Sequence, residues 1–406
     1  MKKIFFILSV LILSCGLENK NNAIELNNTG LAKNNLGDYN GAIVDYNKAI
    51  ELDPNLALAY SNRGLAKNNL GDYNGAIIDY NKAIELDPNL AVAYNNRGLS
   101  KQNLEDNNGA IVDYNKAIEL DPNLALAYTN RGSTKYELGD YSGAIVDYNK
   151  AIELDPNDDV SYNQRGLVKD DLGDYYGAMV DYNKSIELDP NSAIVYNNIG
   201  FAKNNLGDYN GAIVDYNKAI ELDPNLALAY SNRGLAKNNL GDYNGAIIDY
   251  NKAIELDPNL AVAYNNRGLS KQNLEDNNGA IVDYNKAIEL DPNLTITYSN
   301  RALAKDSLED YYGAIIDYNK AIELDPNSAV TYSYRGLTKY YLEDYYGAIL
   351  DFTKSIELDP NDSENYSNRA YTREMVGDLN GACLDYKKAA DMGDSDAAEM
   401  VANQCN

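Results

Sequence analysis

The chain has 406 residues, with 61 Asp and Glu against 35 Lys and Arg, a formal charge of -26, and 36 tyrosines but neither tryptophan nor histidine. Without histidine it lacks the side chain most used for proton transfer at neutral pH and the commonest transition-metal ligand, which weighs against hydrolase and metal chemistry. The acidity would repel a phosphate backbone, so nucleic acid is set aside; a neutral or cationic protein segment is compatible with such a surface, although acidity also simply serves solubility.

The chain opens "MKKIFFILSVLILSCG", two lysines followed by the apolar run Ile4 to Leu13 and then Ser14 and Cys15. That run is too short to span a hydrocarbon core needing about 20 helical residues, and reads as a signal peptide over 1–14. The stretch "ILSC" resembles the lipobox of bacterial lipoproteins. The resemblance implies cleavage before Cys15 and lipid attachment to its sulfur, with 15–22 as a short tether and an extracytoplasmic, lipid-anchored place in the cell envelope. An ordinary secretory signal with an incidental cysteine is the alternative.

All 10 prolines, Pro54 to Pro360, lie 34 residues apart. Eleven units fit between residues 23 and 396, the last carrying Asp394 where the proline would stand. Within a unit, apolar and small residues recur in steps of three and four, as at Tyr60, Gly64, Ala76, Tyr80 and Ala83. This predicts two helices, broken at "LGDY" and "LDPN", where proline disfavours helical angles in the preceding residue.

Those positions resemble the tetratricopeptide repeat. The resemblance implies an all-α fold, a right-handed superhelical solenoid of eleven helix-turn-helix repeats, with the first helix of each (A) lining a concave groove and the second (B) outside. Gly64 and Ala76 would then let A and B approach closely. Where the family usually has Leu, the chain has Arg63 and eight equivalents, with Thr29 and Ile199 as exceptions; where it usually has Tyr, there is Lys67 and its equivalents. A buried charge needs a partner. Helix B offers an aspartate in every unit, so Arg63 is expected to pair with Asp79 or with Asp45 of the preceding unit, and Lys67 to pack its stem with its head in water.

The resemblance places Asn62, Asn96, Asn130, Asn232, Asn266 and Asn300 along the groove. Carboxamides both donate and accept, so such a row can hold the peptide groups of an extended chain; the alternative is that the asparagines cap turns and solvate a helix. Unit ten replaces the polar groove residues by Tyr334, Tyr340 and Tyr341, which are interface-anchor candidates or the drift of a Tyr-rich sequence. The carboxylate-binding clamp of some family members is not supported, because Leu58 and Ser61 stand where bases are needed.

Residues 32–124 are identical to 202–294, so length and repeated surface are tolerated while no unique catalytic constellation stands apart from its copies. Residues 395–405 are expected to form a capping helix with Ser395 as N-cap. Cys383 and Cys405 would reach similar heights, as a disulfide or as two buried thiols. The reading is a non-catalytic, membrane-anchored scaffold, without cofactor, metal or small-molecule substrate, that binds peptide segments or partner proteins. The alternative is a structural spacer or surface-exposed antigen of the envelope.

Overall fold

The structure, a computed structural model, describes residues 2–405, with side chains from Glu18 onward. Cys15, read as the lipid-attachment site, and the leader over 1–14 lie outside the residues whose side chains are described. Among the described residues there are 23 helices and no strand, and no helix long and apolar enough to cross a membrane. They are eleven A and B pairs and one terminal helix. Helix A of repeat one runs Lys2–Asn35, so residues 18–22 of the expected 15–22 tether continue that helix. Nothing in "ENKNNA" breaks a helix, whereas proline or glycine interrupts every later boundary or its counterpart.

Repeat two shows how sequence makes the hairpin. Helix A spans Ala57–Asn69 and helix B Tyr73–Leu86. Between them Gly71 adopts φ +82°, a left-handed turn that glycine enters without a Cβ penalty. Asp72 then caps helix B, its Oδ1 accepting from the Gly75 amide at 2.9 Å. A Cβ on Gly75 would collide with that carboxylate, so the glycine inside the first turn is what admits the cap. Helix B ends at Asp87, whose extended backbone and acceptance of the Asn89 amide at 3.0 Å turn the chain at "LDPN".

The core is narrow. Tyr80 and its equivalents are fully buried in helix B among alanines from both helices. A Cβ added to Gly64 would lie 2.8 Å from the Tyr80 ring; small residues on helix A therefore make room for a large one on B. Each buried ring contributes on the order of 2–3 kcal/mol, and clusters such as Ala246, Tyr250, Ala253 and Ala263 join one repeat to the next. No repeat closes its core alone, so stability comes from stacking.

The chain divides into two compact units, residues 1–202 and 203–406. The first contains repeats one to five and the start of repeat six; the second contains the remaining repeats and the terminal helix. That helix spans Ser395–Gln404 and packs Ala397, Met400 and Val401 against the last repeat. Its N-cap is Asp394, not Ser395. The Asp394 carboxylate accepts from the amides of Asp396 and Ala397, both at 3.0 Å, satisfying two orphan donors where a hydroxyl one residue later would already lie inside the helix. Cys383 and Cys405 are joined in a disulfide, with Cα atoms 5.4 Å apart.

Candidate functional site

The basic residues of helix A turn inward. Arg63 clasps Asp79 with Nε and a terminal nitrogen at 2.9 and 2.6 Å, and its other terminal nitrogen reaches Asn47 of the preceding repeat at 2.7 Å. Lys67 lies 2.8 Å from the same carboxylate, of which 3% is exposed. The guanidinium also sits over the Tyr60 ring at 5.4 Å. The partner is thus Asp79 and not Asp45, because the sixteen-residue offset within a hairpin puts the two on facing turns. The head of Lys67 is bound and not in water, since one carboxylate has lone pairs for both cations. Asn47, which the sequence reading did not foresee, makes the arginine a staple between repeats.

The expected groove asparagines are half-buried and largely engaged with one another. Asn62, Asn130 and Asn300 donate to Asn27, Asn95 and Asn265 of the A helix before them, at 3.0, 3.0 and 3.1 Å. Asn96 and Asn266 accept from their neighbours Asn95 and Asn265, and Asn232 also has a partner. The row ties A helices together, leaving each carboxamide part of its capacity.

The tyrosines of repeat ten behave differently. Its A helix, Ala329–Tyr341, packs between those of repeat nine, Thr295–Asp306, and repeat eleven, Ser363–Met375. Tyr341 is 62% exposed and stacks on Tyr311 with ring centroids 5.6 Å apart. Tyr340 meets Tyr345 and Tyr371 at 5.4 and 5.6 Å, and Tyr334 lies against Tyr318 at 6.4 Å. The three expected residues therefore belong to one aromatic surface. Tyr311 and Tyr371 were missed; the signal was present, since Tyr371 occupies the groove position of Leu65.

Three hollows follow this surface. One of about 450 Å³ is lined by Asp306, Glu309, Tyr311, Tyr334 and Tyr341. A second of about 200 Å³ shares Tyr341 and adds Tyr340, Phe352, Asn368 and Tyr371. A third of about 370 Å³ shares Asn368 and Tyr371 and reaches the terminal helix at Asp396 and Met400. The Nδ2 of Asn368 is buried without a hydrogen-bond partner between the second and third, a donor whose desolvation is uncompensated.

One groove position carries a carboxylate in three repeats, as Asp170, Asp306 and Glu374. Asp306 accepts from Tyr318 at 2.9 Å and Thr338 at 2.8 Å, and burial raises its pKa. Asp170 accepts from Tyr182 at 2.7 Å. Ala202 stands where Thr338 would be, so no second hydroxyl is present, and burial pushes the Asp170 pKa up to about 6.

The sequence carries the same hairpin through its length. The family model described as TPR repeat matches residues 30–71, 104–139, 171–207 and 202–241. Models described as tetratricopeptide repeat match 57–90, 125–158, 227–260 and 261–294, and also 296–328 and 352–383. The chain belongs to the tetratricopeptide repeat family. No curated protein matches this repeat protein. Among solved structures, the APC/C hetero-tetramer Cut9-Hcn1 is similar at 15% identity over 96% of this chain and 91% of that one, with TM-score 0.53. A tetratricopeptide repeat protein from Parabacteroides merdae is similar at 21% identity over 61% and 98%, with TM-score 0.50. At these identities the likeness concerns the fold.

Proposed function

We propose that this repeat protein is a non-catalytic scaffold that grips an extended segment of a partner protein along the A helices of repeats nine to eleven. The observation that carries the reading is the run of three connected hollows walled by Tyr341 and Tyr371. Tyrosines bury large area with few rotors, and linked pockets along one face suit side chains projecting from one strand of peptide. The asparagine rows rank second, because their amides already bond each other.

The test is a displayed library of random peptides panned against the full chain. Recovered peptides should lose at least tenfold in affinity to a Tyr341→Ser, Tyr371→Ser variant that melts as the parent does. Undiminished affinity would sink the assignment.

The sequence "MKKIFFILSVLILSC" supports a companion reading: a lipid on Cys15 holds the scaffold at a bacterial envelope membrane, outside the cytoplasm. Two or three acyl chains anchor stably where one does not. Mass spectrometry of the mature N-terminus decides it, and an unmodified Cys15 refutes the anchor. The identical blocks 32–124 and 202–294 favour a second role, a spacer or surface antigen whose value is its length. Excising two repeats from the second block would then abolish function while leaving peptide binding intact.

A further inference from the structure

The three hollows differ in charge in a way that specifies the partner. In the first, Asp306 and Glu309 stand among Tyr311, Tyr334 and Tyr341. The bases of the flanking helices are turned away from it: Lys305 lies 2.7 Å from Asp317, and Lys339 lies 2.7 Å from Asp351. Asp306 Oδ2 takes the hydroxyls of Tyr318 and Thr338, while its Oδ1 is buried without a partner. The hollow thus combines uncompensated negative charge with aromatic faces, the two features that attract an ammonium or guanidinium. The chain itself uses the aromatic part of this chemistry, as in Arg301 over Tyr298 at 5.7 Å.

The middle hollow has no ionisable group other than tyrosine. Leu337, Tyr340, Phe352 and Tyr371 give it an apolar wall, with Asn368 at one side. The third turns acidic again, with Glu364, Asp394 and Asp396 beside Tyr371 and Tyr386. The neighbouring bases are again occupied, since Arg369 and Arg373 both hold Asp385 at 2.7 Å. The order along the face is acidic, apolar, acidic.

We infer that the segment held here carries a cationic side chain, then an apolar one, then a second cationic one. The inference rests on the peptide-binding reading above. Packed helices lie on the order of 10 Å apart, and an extended chain in the polyproline II form advances about 3.1 Å per residue with three residues per turn, so every third side chain returns to one face. One side chain per hollow therefore comes at every third residue. Lysine and arginine share the chemistry that matters. The net charge of -26 adds long-range attraction for such a segment but cannot set its register.

The experiment uses three fluorescein-labelled peptides, Lys-Ser-Ser-Phe-Ser-Ser-Lys and its Gln and Glu counterparts at both lysines, with fluorescence anisotropy on the full chain at about 150 mM salt. The lysine peptide is expected to bind at least tenfold tighter than the glutamine peptide and the glutamate peptide more weakly still. An Asp306→Asn, Glu309→Gln variant should lose about tenfold of that preference. Asn at the equivalent place in repeats two, six and seven, Asn68, Asn204 and Asn238, shows that the fold accepts it. A Glu323→Gln, Glu357→Gln control removes the same charge from exposed helix B positions, and should change binding less than twofold. Equal losses in both variants would reduce the effect to diffuse charge and overturn the inference. Equal affinity for the lysine and glutamine peptides would overturn it while leaving the peptide groove standing. Binding of none of the three would remove the groove reading itself.

Discussion

Arg97 grips Asp113 through Nε at 2.8 Å and a terminal nitrogen at 2.6 Å, and with its remaining nitrogen reaches Asn81 of the preceding repeat at 2.7 Å. Eight other repeats carry the same ion pair. In each, a charge stands where family members usually have a leucine, and the aspartate of helix B compensates it. The arrangement fixes the register of A on B and of one repeat on the next, because a planar guanidinium satisfies both acceptors in one orientation.

Arg97→Leu should therefore destabilise locally by about 3 kcal/mol, since Asp113 stays buried with Lys101 as its remaining cation. Arg97→Leu with Asp113→Leu should recover most of that loss, because a well-packed apolar pair often equals a buried ionic one. Hydrogen exchange of repeat three amides reads both, and suits a stacked array better than a single melting point. Peptide affinity at repeats nine to eleven should not move.

Asp170 should make stability fall as pH rises. Its folded pKa of about 6 lies above the ordinary carboxylate value because burial disfavours the charge. The folded state then holds its proton more tightly than the unfolded chain, so the contribution is full below about pH 4 and is lost as pH climbs through 6. Asp170→Asn should gain about 2 kcal/mol over the parent at pH 8 and nothing at pH 3.5, read from urea midpoints. Asp171 beside it raises the pKa further, so Asp171→Asn should bring a smaller gain of the same sign.

What the sequence shows and what it withholds divide along the range of the interactions. The 34-residue period, the two breaks per unit and the need of Arg63 for an aspartate are local facts, visible in one repeat. Asn47 as the third ligand of Arg63 depends on how far one hairpin is offset from the next, which no single repeat encodes. The bonding of the groove asparagines to one another is hidden from a single repeat for the same reason: Asn62 donates to Asn27, one repeat away. Tyr334, Tyr340 and Tyr341 stand out in the sequence because three tyrosines replace polar residues within one helix, whereas Tyr371 is a single change at a position where Ser133 and Phe201 also depart from Leu. Ser395 suits an N-cap by its side chain type, yet Asp394 is equally suited and one residue better placed.

The disulfide of Cys383 and Cys405 closes a loop of 22 residues. A loop of this length confers about 3 kcal/mol by restricting the unfolded chain. Reduction should fray the helix Ser395–Gln404 and expose Ala397, Met400 and Val401, leaving the earlier repeats unaffected. Amide exchange with and without reductant checks this, and non-reducing peptide mapping should recover the two cysteines in one linked species. Protection that is unchanged on reduction would show that apolar packing alone holds the cap.

Glu309 occupies a turn at φ 61° where seven other repeats place glycine. A side chain in that left-handed region costs about 1 kcal/mol or more relative to glycine. Glu105, Glu275 and Glu343 bear the same strain, so Glu309→Gly should stabilise the chain by about 1 kcal/mol, as Glu105→Gly should. The two differ in what else they remove: Glu309 lines the first hollow. Glu309→Gly should therefore raise the urea midpoint while weakening the lysine peptide several-fold, whereas Glu105→Gly should raise the midpoint and leave that affinity unchanged. Equal peptide affinities in the two variants would assign Glu309 to the turn alone and leave Asp306 as the sole carboxylate serving the hollow.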